Sequence, residues 1–252
     1  MAHILRRAKT IEEQYRLGAK PSRPDLRDYD FRTLIAPRAA EVAESVKATD
    51  RKNYTMVGPD FRINQGNEGT CVGHGHTNDL LAGLSTHATY PDFQTSELAH
   101  QFARRLYFES TGDSTYQEGA YPRDACDTLL RWGLIESYWK VMQVEDIITC
   151  LLTFGPVGIA VPWYDSMYFN NGILSNQYGN QWIKCNFKNH VGYHFLALTG
   201  IDLAPDNGAP PYVRVQNSWG PGWLQNGTAR LTIEYLRQLN IWDNWAYIEK
   251  PF

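Results

Sequence analysis

The sequence predicts an α+β protein with two lobes, because helix-like segments fill its first half and strand-like segments its second half. Its 252 residues are enough for one large domain or for two lobes that share a core. A content of 43% hydrophobic and 20% charged residues is typical of a globular protein. We expect an N-terminal extension at 1–58 and a body at 59–252, with a helical lobe at about 59–143 and a β lobe at about 144–252.

The N-terminal extension is predicted to be an arm outside the body. Residues 11–17 are charged and helix-like up to Gly18, whereas the two prolines within residues 21–31 favour an extended strap. Residues 33–58 show little sustained periodicity. We expect the arm to run over the body or to bind an assembly partner. Our hypothesis is that residues 1–20 dock on a cleft or on that partner.

The body shows helix signals first and strand signals afterwards. Cap residues, regularly spaced apolar positions and terminal Gly or Pro residues mark the helices. The predicted helices are 71–84, 95–108, 122–133 and 144–152. Short runs of strand-forming residues between turn residues mark the strands. The predicted strands are 157–161, 195–199, 212–216 and 229–233.

Composition excludes several classes of partner. A net charge of −3 provides no attraction to nucleic acid or to an anionic membrane, and no apolar run approaches the length of a membrane span. The N-terminus lacks the apolar stretch of a secretory signal, so we expect a cytoplasmic or particle-associated protein with four reduced cysteines. No CxxC pair is present, which argues against a zinc or redox site.

Cys71 is the first candidate for chemistry. It follows a polar, glycine-rich approach and begins a helix-like segment. A thiol at the first turn of a helix faces unpaired backbone N–H groups and the positive end of the helix dipole, which lowers its pKa and favours the nucleophilic thiolate. The local stretch alone fits either a catalytic cysteine or an ordinary core thiol.

Three further residues complete a possible catalytic set. His194 comes directly before an apolar strand in the β half, and Asn217 ends the next predicted strand. A cysteine nucleophile needs a base, and that imidazole needs an orienting group, which the Asn217 carbonyl oxygen can supply. Upstream, the Gln65 amide can donate to a developing oxyanion alongside the backbone N–H of Cys71. Because Cys71 and His194 belong to different halves, a cleft between two lobes would bring them together.

This set resembles the papain-like cysteine peptidases. The matching motifs are Gln-Gly at 65–66 ahead of Cys71, His-Phe-Leu-Ala-Leu-Thr-Gly at 194–200, and Asn-Ser-Trp-Gly-Pro-Gly-Trp at 217–223. The segment Glu-Gly-Ala-Tyr-Pro at 118–122 is similar to the family's substrate groove, and the segment at 24–29 is similar to bacterial and phage members. The resemblance covers about residues 20–250.

The resemblance implies a fold, an activity and a set of roles. The fold would have a helical lobe, an antiparallel β-barrel-like lobe and an active-site cleft between them. The activity would be hydrolysis of protein or peptide substrates by a Cys71–His194–Asn217 triad, with Gln65 as oxyanion donor and Trp219 shielding the His194–Asn217 hydrogen bond. This mechanism would need neither a metal nor an organic cofactor. Substrate contacts would come from six residues: Gly119, Ala120, Ala160, Tyr193, Phe195 and Trp219.

Some positions depart from the family pattern. Ala120 replaces a glycine and could crowd an extended peptide, while Phe195 and Tyr193 could narrow the substrate pocket. His74 and His76 lie close to Cys71, but on a starting helix they would not point where the nucleophile points. Two other functions stay open: an inactive binding or structural module with this fold, and an amide hydrolase or transpeptidase acting on cell-wall peptides.

Overall fold

One antiparallel sheet dominates the second half of the chain. The structure is a computed structural model that describes residues 15–26, 28–38, 51–53, 62–83, 91–168, 182–183, 185–239, 241 and 243–249. Its strands are β1 (Arg51–Asn53), β2 (Ile135–Lys140), β3 (Val157–Tyr164), β4 (His190–Asp202), β5 (Tyr212–Gln216), β6 (Thr228–Thr232) and β7 (Asp243–Glu249). They pair in the order β2-β7-β3-β4-β5-β6, and β1 pairs with β4. The α+β prediction is confirmed.

The sheet contains more strands than the sequence predicts. The four predicted strands are present as β3 to β6, and β4 is much longer than predicted. The structure adds β1, from the predicted extension, and β2, from the predicted helical stretch, together with β7 at the end of the chain. Most of the β2 side chains are only partly buried, so its sequence lacks the apolar run that identifies a buried strand.

The described helices are α1 (Phe31–Ile35), α2 (Cys71–Ala82), α3 (Ser96–Thr111), α4 (Pro122–Arg131), α5 (Val144–Thr153) and α6 (Ile233–Gln238). The four predicted helices are present close to their predicted positions as α2 to α5, whereas α1 and α6 were not predicted. The Thr95 side chain caps α3 by accepting from Leu98 N at 3.2 Å, and Gly112 ends that helix in the left-handed conformation. Pro122 is the first residue of α4, as predicted from the preference of proline for that position.

Helix α2 is buried on every side, which brings the candidate cysteine into the interior. All twelve of its residues are buried, and it packs against α3 on one side and β4 on the other. Gly75 permits the approach to β4, since a Cβ there would lie 2.4 Å from a ring carbon of Phe195. The glycines that weaken this helix in isolation therefore allow close packing in the fold.

The described part of the arm is attached to the body. Residues 15–17 are not helical, so the predicted helix over 11–17 is wrong for those three residues, and residues 11–14 lie outside the described part. The strap is neither helix nor strand over 21–25, and at Leu26 it makes a turn in which Asp28 N donates to Asp25 O at 3.0 Å. It then leads into α1, so the extended strap predicted over 21–31 is interrupted by this turn and ends where α1 begins. The guanidinium of Arg123 anchors the strap through ion pairs with Asp25 and Asp28. Over the described residues, none of the helices combines the length and apolar character that a bilayer crossing requires.

Candidate active site

Cys71 begins α2 and is completely buried. The side chain of Thr70, the preceding residue, makes no capping hydrogen bond, so the first N–H groups of α2 are not satisfied by their N-cap. Burial raises the pKa of the Cys71 thiol to about 12, although backbone N–H groups of Phe195, Gly18 and Val72 act in the opposite direction. The predicted lowering of this pKa is therefore wrong for the described form, because the loss of solvent outweighs the helix N-terminus.

His194 lies in β4 with its ring orientation fixed by Asn217. Its Nε2 is 2.8 Å from Asn217 Oδ1, which also accepts from the backbone N–H of Ser218 at 2.7 Å. Because the Ser218 N–H can only donate, Oδ1 is the acceptor and His194 Nε2 carries the hydrogen. His194 Nδ1 has no hydrogen-bond partner among the described residues, which leaves its lone pair available. Burial lowers the pKa of His194 to about 4, so the ring is neutral at pH 7.

Two tryptophans enclose the His194 ring. Trp219 stacks on it with a centroid distance of 4.6 Å, and Trp163 meets it edge-on at 5.0 Å. The resemblance assigned Trp219 to this place, and the sequence analysis did not assign Trp163 to it. The register between β3 and β4 explains the difference, because Val161 pairs with His194 and Trp163 lies two residues further along the same face. Both rings exclude water from the His194–Asn217 hydrogen bond.

Gln65 connects the loop before α2 to the segment that carries Asn217. Its backbone N–H donates to Ser218 O at 2.8 Å, and its side-chain Oε1 accepts from the Ser218 hydroxyl. With Oε1 engaged in this way, Nε2 must donate. It donates to Glu68 O at 2.8 Å and to Arg16 O at 2.9 Å. The Gln65 amide thus holds a peptide carbonyl oxygen that belongs to the arm.

The arm occupies the groove that the sequence predicts for substrate. Ala120 N donates to Gly18 O at 2.8 Å, and Lys20 N donates to Ala120 O at 2.8 Å. Ala19 N donates to Tyr193 O at 3.2 Å. Ala120 therefore forms backbone hydrogen bonds to an extended peptide without crowding it. Ala19 forms an isolated parallel bridge with Ala120, and Gly18 lies against the candidate nucleophile.

The other predicted groove residues divide into two groups. Gly119 lies next to the Gly18 carbonyl, and Trp219 stacks on the ring of Tyr15 at 4.8 Å. Ala160 and Phe195 are buried and pair in register on neighbouring strands. The Phe195 ring packs 4.5 Å from that of His76 on α2. A contact of Ala160 or of the Phe195 side chain with substrate stays a prediction.

Asp243 is a groove residue that the sequence reasoning missed. It lies on β7 in register with Ala160, it is fully buried, and its Oδ2 accepts from the backbone N–H of Ser22 in the strap at 2.6 Å. Burial raises the pKa of this carboxyl. Its position depends on the β7–β3 pairing, and no local motif marks it. Elsewhere among the described residues, no cluster of three or more His, Cys, Asp or Glu side chains is arranged to hold a metal ion.

Comparison with known proteins relates the chain to one family. Residues 97–248 match the family model described as papain family cysteine protease. This span contains His194 and Asn217 but begins after Gln65 and Cys71. A stretch of 90 residues, 35% of this chain, is 29% identical to the cathepsin B-like CP1 of Giardia intestinalis and spans only 26% of that relative's length.

Solved structures share the fold at low identity. Xylellain, a cysteine protease from Xylella fastidiosa, aligns with a TM-score of 0.65 and 16% identity, over 94% of this chain and 97% of that one. The digestive procathepsin L 3 of Tenebrio molitor larval midgut aligns with a TM-score of 0.58 and 16% identity, over 95% of this chain and 78% of that one. These likenesses concern the fold alone.

Proposed function

The chain belongs to the papain family of cysteine proteases, and we propose that it is a thiol-dependent peptidase acting on protein or peptide substrates. Cys71 is the nucleophile, His194 the general base and acid, and Asn217 the group that orients the imidazole. Gln65 Nε2 and the backbone N–H of Cys71 bind the oxyanion. The peptide-binding groove includes Ala120 and its neighbours, and the predicted limits of 1–58 for the extension and 59–252 for the body are part of the proposal.

The proposed reaction has two stages. His194 Nδ1 takes the proton of the Cys71 thiol, and the thiolate attacks the peptide carbonyl carbon, so that a C–S bond forms and the carbonyl oxygen becomes an oxyanion. His194 then donates its proton to the leaving amine as the C–N bond breaks, which leaves a thioester on Cys71. In the second stage His194 takes a proton from water, the hydroxide attacks the thioester, and the carboxylate product leaves as the thiol is restored.

One observation carries this proposal: a peptide carbonyl oxygen already accepts a hydrogen bond from the proposed oxyanion donor. Gln65 Nε2 donates to Arg16 O at 2.9 Å, while the neighbouring arm residues Gly18 and Lys20 form backbone hydrogen bonds with Ala120. The groove therefore accepts a peptide backbone beside the triad, and its polar contacts are to main-chain atoms that every peptide has. This supports a peptide substrate over a small molecule.

The arm itself is bound in a way that protects it from cleavage. Gly18 presents a backbone N–H to the Cys71 sulfur, whereas a substrate must present a carbonyl carbon. The arm also excludes the water that a thiolate and an imidazolium need, which keeps Cys71 as a neutral thiol. We propose that the described form is latent and that the arm must leave before the reaction begins. Removal of the arm by an assembly partner is part of the same hypothesis.

Labelling with an epoxide inhibitor that traps papain-like thiols tests the assignment of the nucleophile. Under reducing conditions, we expect the wild-type chain to be labelled on Cys71 alone, at a slow rate set by departure of the arm, and Cys71→Ala to remain unlabelled. Cys126→Ala is the matched control, because Cys126 is equally buried but lies on α4. A label on any other cysteine, or labelling that survives Cys71→Ala, would contradict the proposal.

A second candidate is a binding module that keeps this fold without catalysis. The burial of Cys71, which raises the pKa of its thiol to about 12, favours it. The two functions separate once the arm is displaced, since a module would leave Cys71 unreactive towards the epoxide. The presence of Gln65, His194 and Asn217, which supply the oxyanion donor, the base and the orienting group of the proposed mechanism, supports the peptidase.

A further inference from the structure

We propose that His74 and His100, which take no part in the reaction above, are positioning residues that orient the Thr70–Cys71 peptide so that the Cys71 N–H faces the oxyanion. The inference rests on the proposed function and extends it. It assigns a task to a pair of histidines of which His74 is buried and His100 is partly buried.

The pair forms a hydrogen-bonded chain that starts at the peptide before the nucleophile. His74 lies on α2 and is 0% exposed. Its Nδ1 is 3.1 Å from Thr70 O, and its Nε2 is 2.9 Å from Nδ1 of His100 on α3. The chain therefore runs from α3, through the interior, to the carbonyl directly before Cys71.

Only one arrangement of hydrogens satisfies this chain when both rings are neutral. Thr70 O accepts only, so His74 Nδ1 carries a hydrogen and His74 Nε2 must accept. His100 Nδ1 is then the donor. Burial lowers the pKa of His74 to about 3, so this ring stays neutral and keeps the same tautomer through the pH range of ordinary catalysis.

The geometry of the peptide bond transmits this constraint to the oxyanion site. The Thr70 carbonyl and the Cys71 N–H belong to one planar trans peptide and point in opposite directions, so fixing the oxygen fixes the N–H. The helical bond from His74 N to Thr70 O, at 3.1 Å, supplies one constraint, and the His74 ring supplies a second from another direction. The Thr70 side chain provides no cap that could replace it.

Helix α3 supports the other oxyanion donor as well. Arg104, one turn after His100, forms an ion pair of 3.3 Å with Glu68, whose backbone carbonyl accepts from Gln65 Nε2 at 2.8 Å. The charged groups around His100 are thus Glu68, Glu97 and Arg104. Both donors of the proposed oxyanion site, Gln65 Nε2 and Cys71 N–H, are tied to the same face of α3.

Two reactions of the same thiol distinguish positioning from a general structural role. Peptide hydrolysis and the binding of a peptide aldehyde both place an oxygen in the oxyanion site, whereas alkylation by iodoacetamide displaces iodide at a saturated carbon and needs no such site. We would measure all three in the full chain carrying Gly18→Val, a substitution that destabilises the arm-bound state because its Cβ would lie 2.1 Å from Gly69 O.

His100→Leu removes the donor to His74, and His100→Asn keeps a donor at the position of Nδ1 without a titrating ring. We expect His100→Leu to reduce kcat/KM for a fluorogenic peptide amide and the affinity for a peptide aldehyde by about tenfold, a fraction of the effect of deleting a donor. The iodoacetamide rate should not change, and His100→Asn should restore both oxyanion-dependent quantities. Urea unfolding of each variant verifies that it is folded.

Each alternative result has a distinct meaning. The positioning inference is wrong if His100→Leu lowers the alkylation rate together with hydrolysis, or if it changes none of the three quantities. It is also wrong if His100→Leu and His100→Asn give the same kcat/KM and the same affinity for the aldehyde. If the Gly18→Val chain is alkylated on Cys71 but neither cleaves peptide nor binds the aldehyde, the proposed function fails and the inference fails with it.

Discussion

Gly18→Val in the full chain is expected to raise both the peptidase activity and the reactivity of Cys71 by about 5- to 150-fold, the equivalent of an overpacking cost of about 1–3 kcal/mol in the arm-bound state. The cause is a steric conflict with backbone: a Cβ on Gly18 would lie 2.1 Å from Gly69 O, and a backbone carbonyl cannot rotate away as a side chain can. The conflict exists only while the arm occupies the groove. The substitution therefore destabilises the arm-bound state and leaves the body unchanged.

The measurement compares wild type, Gly18→Val and Gly155→Ala by initial rates of peptide hydrolysis and by the rate of epoxide labelling. Gly155→Ala is the matched control, because a Cβ there meets no atom within 4 Å. We expect Gly155→Ala to behave as wild type. Equal rates for all three chains would mean that the arm does not limit access to Cys71, and a lower rate in Gly18→Val would mean that the arm assists the reaction.

Gln65→Ala, introduced into the Gly18→Val chain, is expected to lower kcat for peptide hydrolysis by about 10²–10³, the usual consequence of deleting one oxyanion donor. The donor is Nε2, which holds the Arg16 carbonyl in the described form and would hold the reacting carbonyl of a substrate. The rate of alkylation by iodoacetamide should stay the same, because that reaction builds no oxyanion. The comparison of the two rates distinguishes an oxyanion donor from a residue that only maintains the reactivity of the Cys71 thiol.

Gln101→Ala is the control for the Gln65 prediction, since Gln101 is an exposed residue of α3 whose side chain bonds Glu97. It should leave kcat unchanged. A loss of alkylation in Gln65→Ala equal to its loss of hydrolysis would assign Gln65 to support of the loop through Ser218. A kcat near that of the parent chain would remove Gln65 from the mechanism.

The candidate site was predictable from the sequence because its residues lie at the ends of elements with strong local signals. Gln65 and Cys71 flank a turn before a helix, and His194 and Asn217 mark two strand segments. The pairings that bring them together are long-range, but each partner is recognisable alone. The hydrogen bond between His194 and Asn217, at 2.8 Å, is the contact predicted from the resemblance.

What the sequence did not predict depends on tertiary contacts without a local signature. The arm around Gly18 is extended because it pairs with Ala120, and this pairing overrides the helix-like pattern of residues 15–17. Its burial of Cys71 reverses the expected direction of the thiol pKa. His74 and His100 are 26 residues apart in the sequence, and only the packing of α2 on α3 brings their rings together.

The most direct test of the account is the pH dependence of the alkylation of Cys71 in the Gly18→Val chain, with the labelled residue identified by mass spectrometry. While the arm covers the thiol, burial raises the pKa of Cys71 to about 12. Once solvent enters, His194 can hold the proton, and the thiolate should form at a lower pH than in a free cysteine. We expect the alkylation rate to reach half of its maximum below about pH 7, as in a cysteine paired with an imidazolium. If the alkylation rate instead reached half of its maximum at about pH 8.5, as for an unperturbed thiol, the claim that Cys71 and His194 form a catalytic pair beneath the arm would be contradicted.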